Sequence, residues 1–295
     1  MNAENRSKLA LITATVIFGS IGIFRKYIPL PSGTLAMLRG IIGVIFLLAF
    51  VYMKGDKLSS SKVKENFKVL ILSGALIGFN WILLFEAYRF TTVSTATLCY
   101  YMAPVFVILA APLLLKEKLT IKKLCCTAVA IGGMVLVSGV ANSEFSGIGE
   151  FKGILCALGA AVFYACVVIL NKKCGEISAY DKTIVQLAVA SAVIIPYVIA
   201  AEVETLAGLE ISAVTIIMVL IVGVLNTGIA YAIYFGSMAN LKAQTIALFS
   251  YIDPIMAIIF SAVILHEKMG GLEILGAVMI LGSAMISEMS KKGEK

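Results

Sequence analysis

The sequence predicts an all-α polytopic membrane protein, with ten transmembrane helices built from two inverted five-helix repeats. Three observations predict it. Hydrophobic residues make up 60% of the 295 and charged residues 14%, more apolar surface than a water-soluble chain of this length can hide. That surface falls into ten runs, near 9–27, 33–53, 69–89, 92–115, 121–140, 153–171, 183–202, 213–236, 243–265 and 272–289, each close to the ~20 residues that cross a bilayer. Finally, residues 94–138 recur without gaps at 244–288, pairing Thr95/Thr245, Leu98/Leu248, Tyr101/Tyr251, Pro104/Pro254, Ile108/Ile258, Leu115/Leu265, Glu117/Glu267, Lys118/Lys268 and Gly132/Gly282. An internal repeat fixes architecture before any local reading does.

Helices and not a barrel are expected, because runs such as IIGVIFLLAFVYM show no period-two alternation and only these two structures satisfy the backbone in lipid. The first run follows Arg6 and Lys8 but is a full span long and lacks a clear small-residue cleavage site. It is an uncleaved first helix. The second run carries Arg39 near its outer end. A guanidinium there suits a substrate carboxylate or an acidic partner, and its stem is long enough to snorkel to the interface.

The third run places Trp81, Phe85 and Tyr88 on one helical face beside Asn80, and ends on Glu86 and Arg89. The aromatics give apolar area plus donors for a small amphipathic ligand. The acid and base are spaced for an ion pair at an outer gate, with Glu86 a second candidate for proton coupling. In the eighth run, Thr227, Tyr231, Tyr234 and Met238 share a face beside Asn226. Trp81 and Tyr231 are matched positions in the two halves, as are Phe85 and Phe235, while Phe18 corresponds to Phe163. Tyr101 and Tyr251 are expected to line a cavity with Trp81 and Tyr231, and Asn80 and Asn226 to supply its polar contacts.

Pro104 and Pro254 fall mid-run and are expected to bend their helices. The small-residue spacings Gly74-x3-Gly78 and Ala128-x3-Gly132 allow close helix approach within a monomer or across a homodimer.

Asp253 is the strongest chemical candidate. It lies in the middle of the ninth run, where insertion of an ionised carboxylate costs roughly 2.5–3.5 kcal/mol. Such a group suits proton binding and release, or pairing with a cationic substrate group. Its counterpart in the first half is Ala103, so the charge breaks the repeat.

Five runs precede the loop at 142–150 and five follow it, dividing the chain at 1–141 and 142–295. Five is odd, so the second half enters the membrane from the opposite side, as inverted repeats do. With both termini in the cytoplasm, inner segments hold 18 of the lysines and arginines and outer segments 5 (Arg25, Lys26, Arg89, Lys152 and Lys268). The positive-inside rule therefore accounts for the +7 net charge, and no nucleic-acid partner is needed.

The six cysteines show no CxxC pair, and His266-Glu267 lacks the second histidine of a zinc motif because position 270 is Gly. The chain has a single histidine and no nucleotide-phosphate loop. No metal, cofactor or enzymatic centre is expected.

The ordered pattern of WILLFEAYRFTTVSTATLCYYMAP (81–104) before a KEK turn, and YAIYFGSMANLKAQTIALFSYIDP (231–254) before an HEK turn, resembles the EamA-type transporters of the drug/metabolite transporter superfamily. The resemblance implies ten helices around a substrate cavity and frequent export of amino acids or related metabolites. The expectation is a secondary transporter in a bacterial cytoplasmic membrane, working on a small molecule by alternating access, with or without proton coupling. The alternatives are a lipid-handling or lipid-flipping protein and a non-transporting helical subunit.

Overall fold

A computed structural model describes residues 2–91, 93–138, 148–264, 266 and 270–288, and among these residues the regular structure is entirely helical. The helices are α1 (Ala3–Gly19), α2 (Ile21–Lys26), α3 (Ser32–Met53), α4 (Ser60–Glu65), α5 (Phe67–Phe90), α6 (Val93–Tyr100), α7 (Ala103–Leu115) and α8 (Ile121–Ser138). They continue with α9 (Ile148–Lys173), α10 (Ala179–Ala201), α11 (Val203–Ala207), α12 (Ala213–Ile221), α13 (Ala230–Ser237), α14 (Ala243–Ser250), α15 (Ile252–Ile264) and α16 (Gly271–Glu288). A π-helical stretch, Val222–Ile229, joins α12 to α13.

Among the described residues, seven stretches are long and apolar enough to cross a membrane: Ala3–Phe24, Ser32–Met53, Phe67–Phe90, Glu150–Lys173, Ala179–Ala201, Ala213–Asn240 and Ala243–Ile264. The chain is a multi-pass membrane protein. The remaining predicted spans correspond to shorter apolar pieces, including Ala103–Leu115 and Ile274–Ser283. Leu265, Glu267, Lys268, residues 142–147 of the expected outer loop, and Lys291, Lys292 and Lys295 lie outside the described residues. The side chains of Arg25, Lys26, Thr95, Leu98 and Ile258 do too.

Two predicted spans are each broken in two. The chain leaves the helix at Tyr101 and Met102, and again at Tyr251, so Pro104 and Pro254 sit in the first turns of α7 and α15. A proline lacks the N–H that a first turn leaves unpaired anyway, and it disfavours helix in the residue before it. The expected mid-helix bends are therefore breaks that precede the prolines. Beyond the breaks, α6 and α14 begin at residues 93 and 243, and α8 and α16 span 121–138 and 271–288. The turns after α7 and α15 share a rare backbone conformation, with φ of 55° at Lys116 and 56° at His266.

Helix α5 packs on α9 and α10, α10 on α3, α8 on α16, and α1 on α13 and α15. Both small-residue motifs serve crossings within the chain. A Cβ on Gly74 would come within 2.8 Å of the Gln186 carbonyl, and one on Gly78 within 2.9 Å of the Ala190 carbonyl, both on α10. Gly132 faces Met279 of α16. At Gly19 a Cβ would lie 2.8 Å from the Asp253 carbonyl and 2.7 Å from Met256 Cβ. This contact ties the end of α1 to the first turn of α15.

Candidate functional site

A belt of aromatic rings runs through the bundle between one cation and one acid. At its first end, the Arg39 guanidinium carbon lies 4.2 Å from the centroid of the Trp81 ring. Trp81 meets Tyr231 edge-on at 6.1 Å, and Phe18 of α1 packs against Tyr231 at 5.0 Å and Tyr234 at 5.6 Å. Tyr234 shares a hydroxyl hydrogen bond with Tyr164 of α9, and Tyr164 meets Tyr100 at 6.0 Å. Tyr100 packs on Tyr101 at 5.7 Å, and the Tyr101 hydroxyl donates to Asp253 Oδ2 at 3.1 Å. Edge-to-face contacts of this kind hold rings at fixed angles, so the belt is a rigid wall.

Helix breaks position both tyrosine and acid. Because the chain leaves the helix at Tyr101 and Tyr251, Asp253 occupies the first turn of α15 in the middle of the Ala243–Ile264 run. A carboxylate is favoured there by the free N–H groups of the helix start. Among the described residues, no cation lies within 4 Å of Asp253 and no carboxylate within 4 Å of Arg39. Arg39 Nε is buried without a hydrogen-bond partner. Arg39 therefore turns into the bundle over Trp81, a correction to the snorkelling alternative, and it does so without an ion partner.

Asn80 donates its amide to the Ala160 carbonyl at 2.6 Å, joining α5 to α9. Asn226, in the π-helical stretch, donates to the Ile17 carbonyl at 2.6 Å and Ser20 Oγ at 2.9 Å, where α1 ends, and its own Oδ1 stays buried and unpaired. Both asparagines thus spend their donors on helix contacts. Tyr251 is separated from the belt. It is 1% exposed among Ala130, Met134, Ile255, Ala277 and Ile280, with Tyr101 at the edge of that cluster.

Glu86 accepts from Arg89 Nη1 at 2.9 Å, as its spacing implied, and also from the Tyr197 hydroxyl of α10 at 2.8 Å. The arginine is exposed, so solvent weakens the pair. Tyr88 packs against the cluster of Ala87, Ala96 and Ala157.

Sequence reasoning left out Tyr164 and Tyr197. Each is a lone tyrosine in an apolar run, and only the packing of α9 against α6, and of α10 against α5, brings it to the others.

The EamA-like transporter family model matches residues 6–139 and again residues 151–289. The uncharacterized transporter YxxF of Bacillus subtilis (strain 168) is 29% identical over 292 residues, covering 99% of this chain and 92% of that protein. A probable amino-acid metabolite efflux pump of Salmonella typhimurium is 26% identical over 238 residues, covering 77% of this chain and 78% of the pump. A protein of known crystal structure shares the fold at a TM-score of 0.83 with 18% identity, over 95% of this chain and 97% of that one. The chain therefore belongs to the EamA-like transporter family, whose members are transporters and not enzymes.

Proposed function

We propose that the protein is a secondary transporter that exports amino acids or closely related zwitterionic metabolites across the bacterial cytoplasmic membrane by alternating access. The observation that carries this reading is the pair of uncompensated charges at the two ends of one aromatic belt. A zwitterion supplies the missing partner to each, its carboxylate to Arg39 and its ammonium to Asp253. Trp81, Tyr231 and Tyr101 line the path between, and the free oxygen of Asn226 is available as an acceptor. Charges left without an ion partner inside a helical bundle are unfavourable, so their retention fits a site that a ligand completes.

The ten-helix arrangement as two inverted repeats, at 1–141 and 142–295, is part of the same proposal. It is supported by the recurrence of helix starts and of the φ > 0 turn one repeat apart. Inverted halves can exchange conformations, opening the belt to one face and then the other. Both termini are placed in the cytoplasm on the lysine distribution. The amino-acid class also draws support from the similarity to the Salmonella efflux pump. Asp253 and Glu86 are the groups through which a proton gradient would act.

Counterflow into proteoliposomes loaded with amino acids, sugars, nucleosides or polyamines tests this. Saturable exchange confined to zwitterions is expected. Exchange of polyamines or sugars alone would refute the substrate class. Movement of lipids, with no solute exchange by folded protein, would replace the carrier by a lipid-handling function.

A further inference from the structure

The segment between α13 and α14 is held by opposite charges at its two ends. On the α13 side, Lys182 Nζ donates to the Phe235 carbonyl at 2.9 Å, while Lys172 Nζ donates to the carbonyls of Met238 at 3.0 Å and Leu241 at 2.6 Å. On the α14 side, Glu117 accepts from the backbone N–H of Ala243 at 2.8 Å and of Gln244 at 3.4 Å. Cations meet the carbonyl end of one helix and an anion meets the N–H end of the next, as both helix dipoles favour. The three holders come from α9, α10 and the turn after α7, all remote in sequence from what they hold.

Neutral caps would suffice for a permanent turn. Instead Lys182 is 5% exposed and has no carboxylate within 4 Å among the described residues. The segment also lies between a cavity and the belt. On one side is a cavity of about 810 Å³ lined by Lys62, Cys174, Asp181 and both lysines, with Met238 and Ala239 in its wall. On the other side α14, all eight residues of it buried, leads to Ser250 and the Tyr234 hydroxyl of the belt. The matching helix α6 leaves Thr97, Cys99 and Tyr100 partly exposed. Helix α14 is thus buried along its whole length where α6 is not.

We propose that Glu117, Lys172 and Lys182 are positioning residues of the transport cycle: they latch the α13–α14 segment across the belt, and this face opens when Glu117 releases the α14 N-terminus. The assignment of this face to the cytoplasm rests on the orientation proposed above; the latch itself does not.

The test places a reporter beneath the latch. Ser237, 3% exposed, is changed to cysteine in a chain whose six native cysteines are replaced. Alkylation by a membrane-impermeant maleimide is then timed in whole cells and in inside-out vesicles. Glu117→Gln keeps the size and removes the charge. It is expected to raise labelling about tenfold in inside-out vesicles, the population shift that losing one charge-assisted hydrogen bond produces. Glu117→Asp is expected to restore most of the wild-type protection. Lys172→Met, which frees the Met238 and Leu241 carbonyls, gives an independent reading should Glu117→Gln not reach the membrane. Unchanged labelling from both faces, in either variant, overturns the latch. A rise seen only in whole cells keeps the latch and overturns the orientation.

Discussion

Tyr101 and Asp253, 152 positions apart, are joined by a 3.1 Å hydrogen bond, while the matching hydroxyl of Tyr251 is buried with no partner among the described residues. The difference follows from one substitution between the halves. The position that corresponds to Asp253 in the first half is Ala103, which offers no side-chain acceptor. Asymmetry in the sequence thus becomes an orphaned hydroxyl in the structure, and the two tyrosines respond to mutation in opposite ways.

Tyr251→Phe removes a group whose desolvation nothing compensates. It is expected to stabilise the protein by about 1 kcal/mol, read as a higher Tm in detergent with transport retained. A lower Tm would show that the hydroxyl has a partner.

Tyr101→Phe has the reverse effect. Asp253 loses the hydrogen bond that Tyr101 donates, and the exchange rate is expected to fall about tenfold, the equivalent of one hydrogen bond to a charged group. Asp253→Asn is expected to abolish any acceleration by a pH gradient while leaving the protein folded. Rate and pH profile of exchange in the same proteoliposomes check both.

Arg39→Lys keeps the charge but loses the planar fork over Trp81. KM for carboxylate-bearing solutes is expected to rise about tenfold with kcat little changed, the pattern of a residue that binds without reacting. Equal losses for amines that lack a carboxylate would contradict the role.

Glu202, 8% exposed, caps α3 by accepting from the N–H groups of Gly33 at 2.8 Å and Thr34 at 2.6 Å and from Thr34 Oγ1 at 2.7 Å. Glu202→Gln is expected to cost about 1–3 kcal/mol. Gly19→Ala, which drives a Cβ against the Asp253 carbonyl and Met256, is expected to cost about 1–3 kcal/mol as well. Thermal melting checks both, and only the second is expected to disturb exchange, because only Gly19 abuts the belt.

Local pattern made part of this legible. Tyr101 and Tyr251, Trp81 and Tyr231, and the turns at Lys116 and His266 can be seen in the sequence because a repeat compares the chain with itself. The inward turn of Arg39 was not legible, because a residue near a helix end can snorkel or stack, and only the position of Trp81 on a neighbouring helix decides between them. Nor were the caps made by Lys172, Lys182, Glu117 and Glu202. Each satisfies a helix end remote in the chain, and no periodicity encodes such a pairing. The breaks at Tyr101 and Tyr251 were half legible: the prolines announce a disturbance, and the backbone places it before them.

The most direct test uses the chain's single tryptophan. Trp81 lies beneath Arg39 at one end of the belt, so fluorescence of the purified protein, excited where tryptophan absorbs and the eleven tyrosines do not, reports on this site. Titration with an amino acid is expected to change it saturably, with affinity weakened at least about tenfold by Arg39→Gln and by Asp253→Asn, because each removes one ionic contact. The corresponding amine and the corresponding carboxylic acid are expected to bind weakly. If the amine binds wild-type protein as tightly as the amino acid does, or if both variants bind unchanged, the two charges do not recognise a zwitterion.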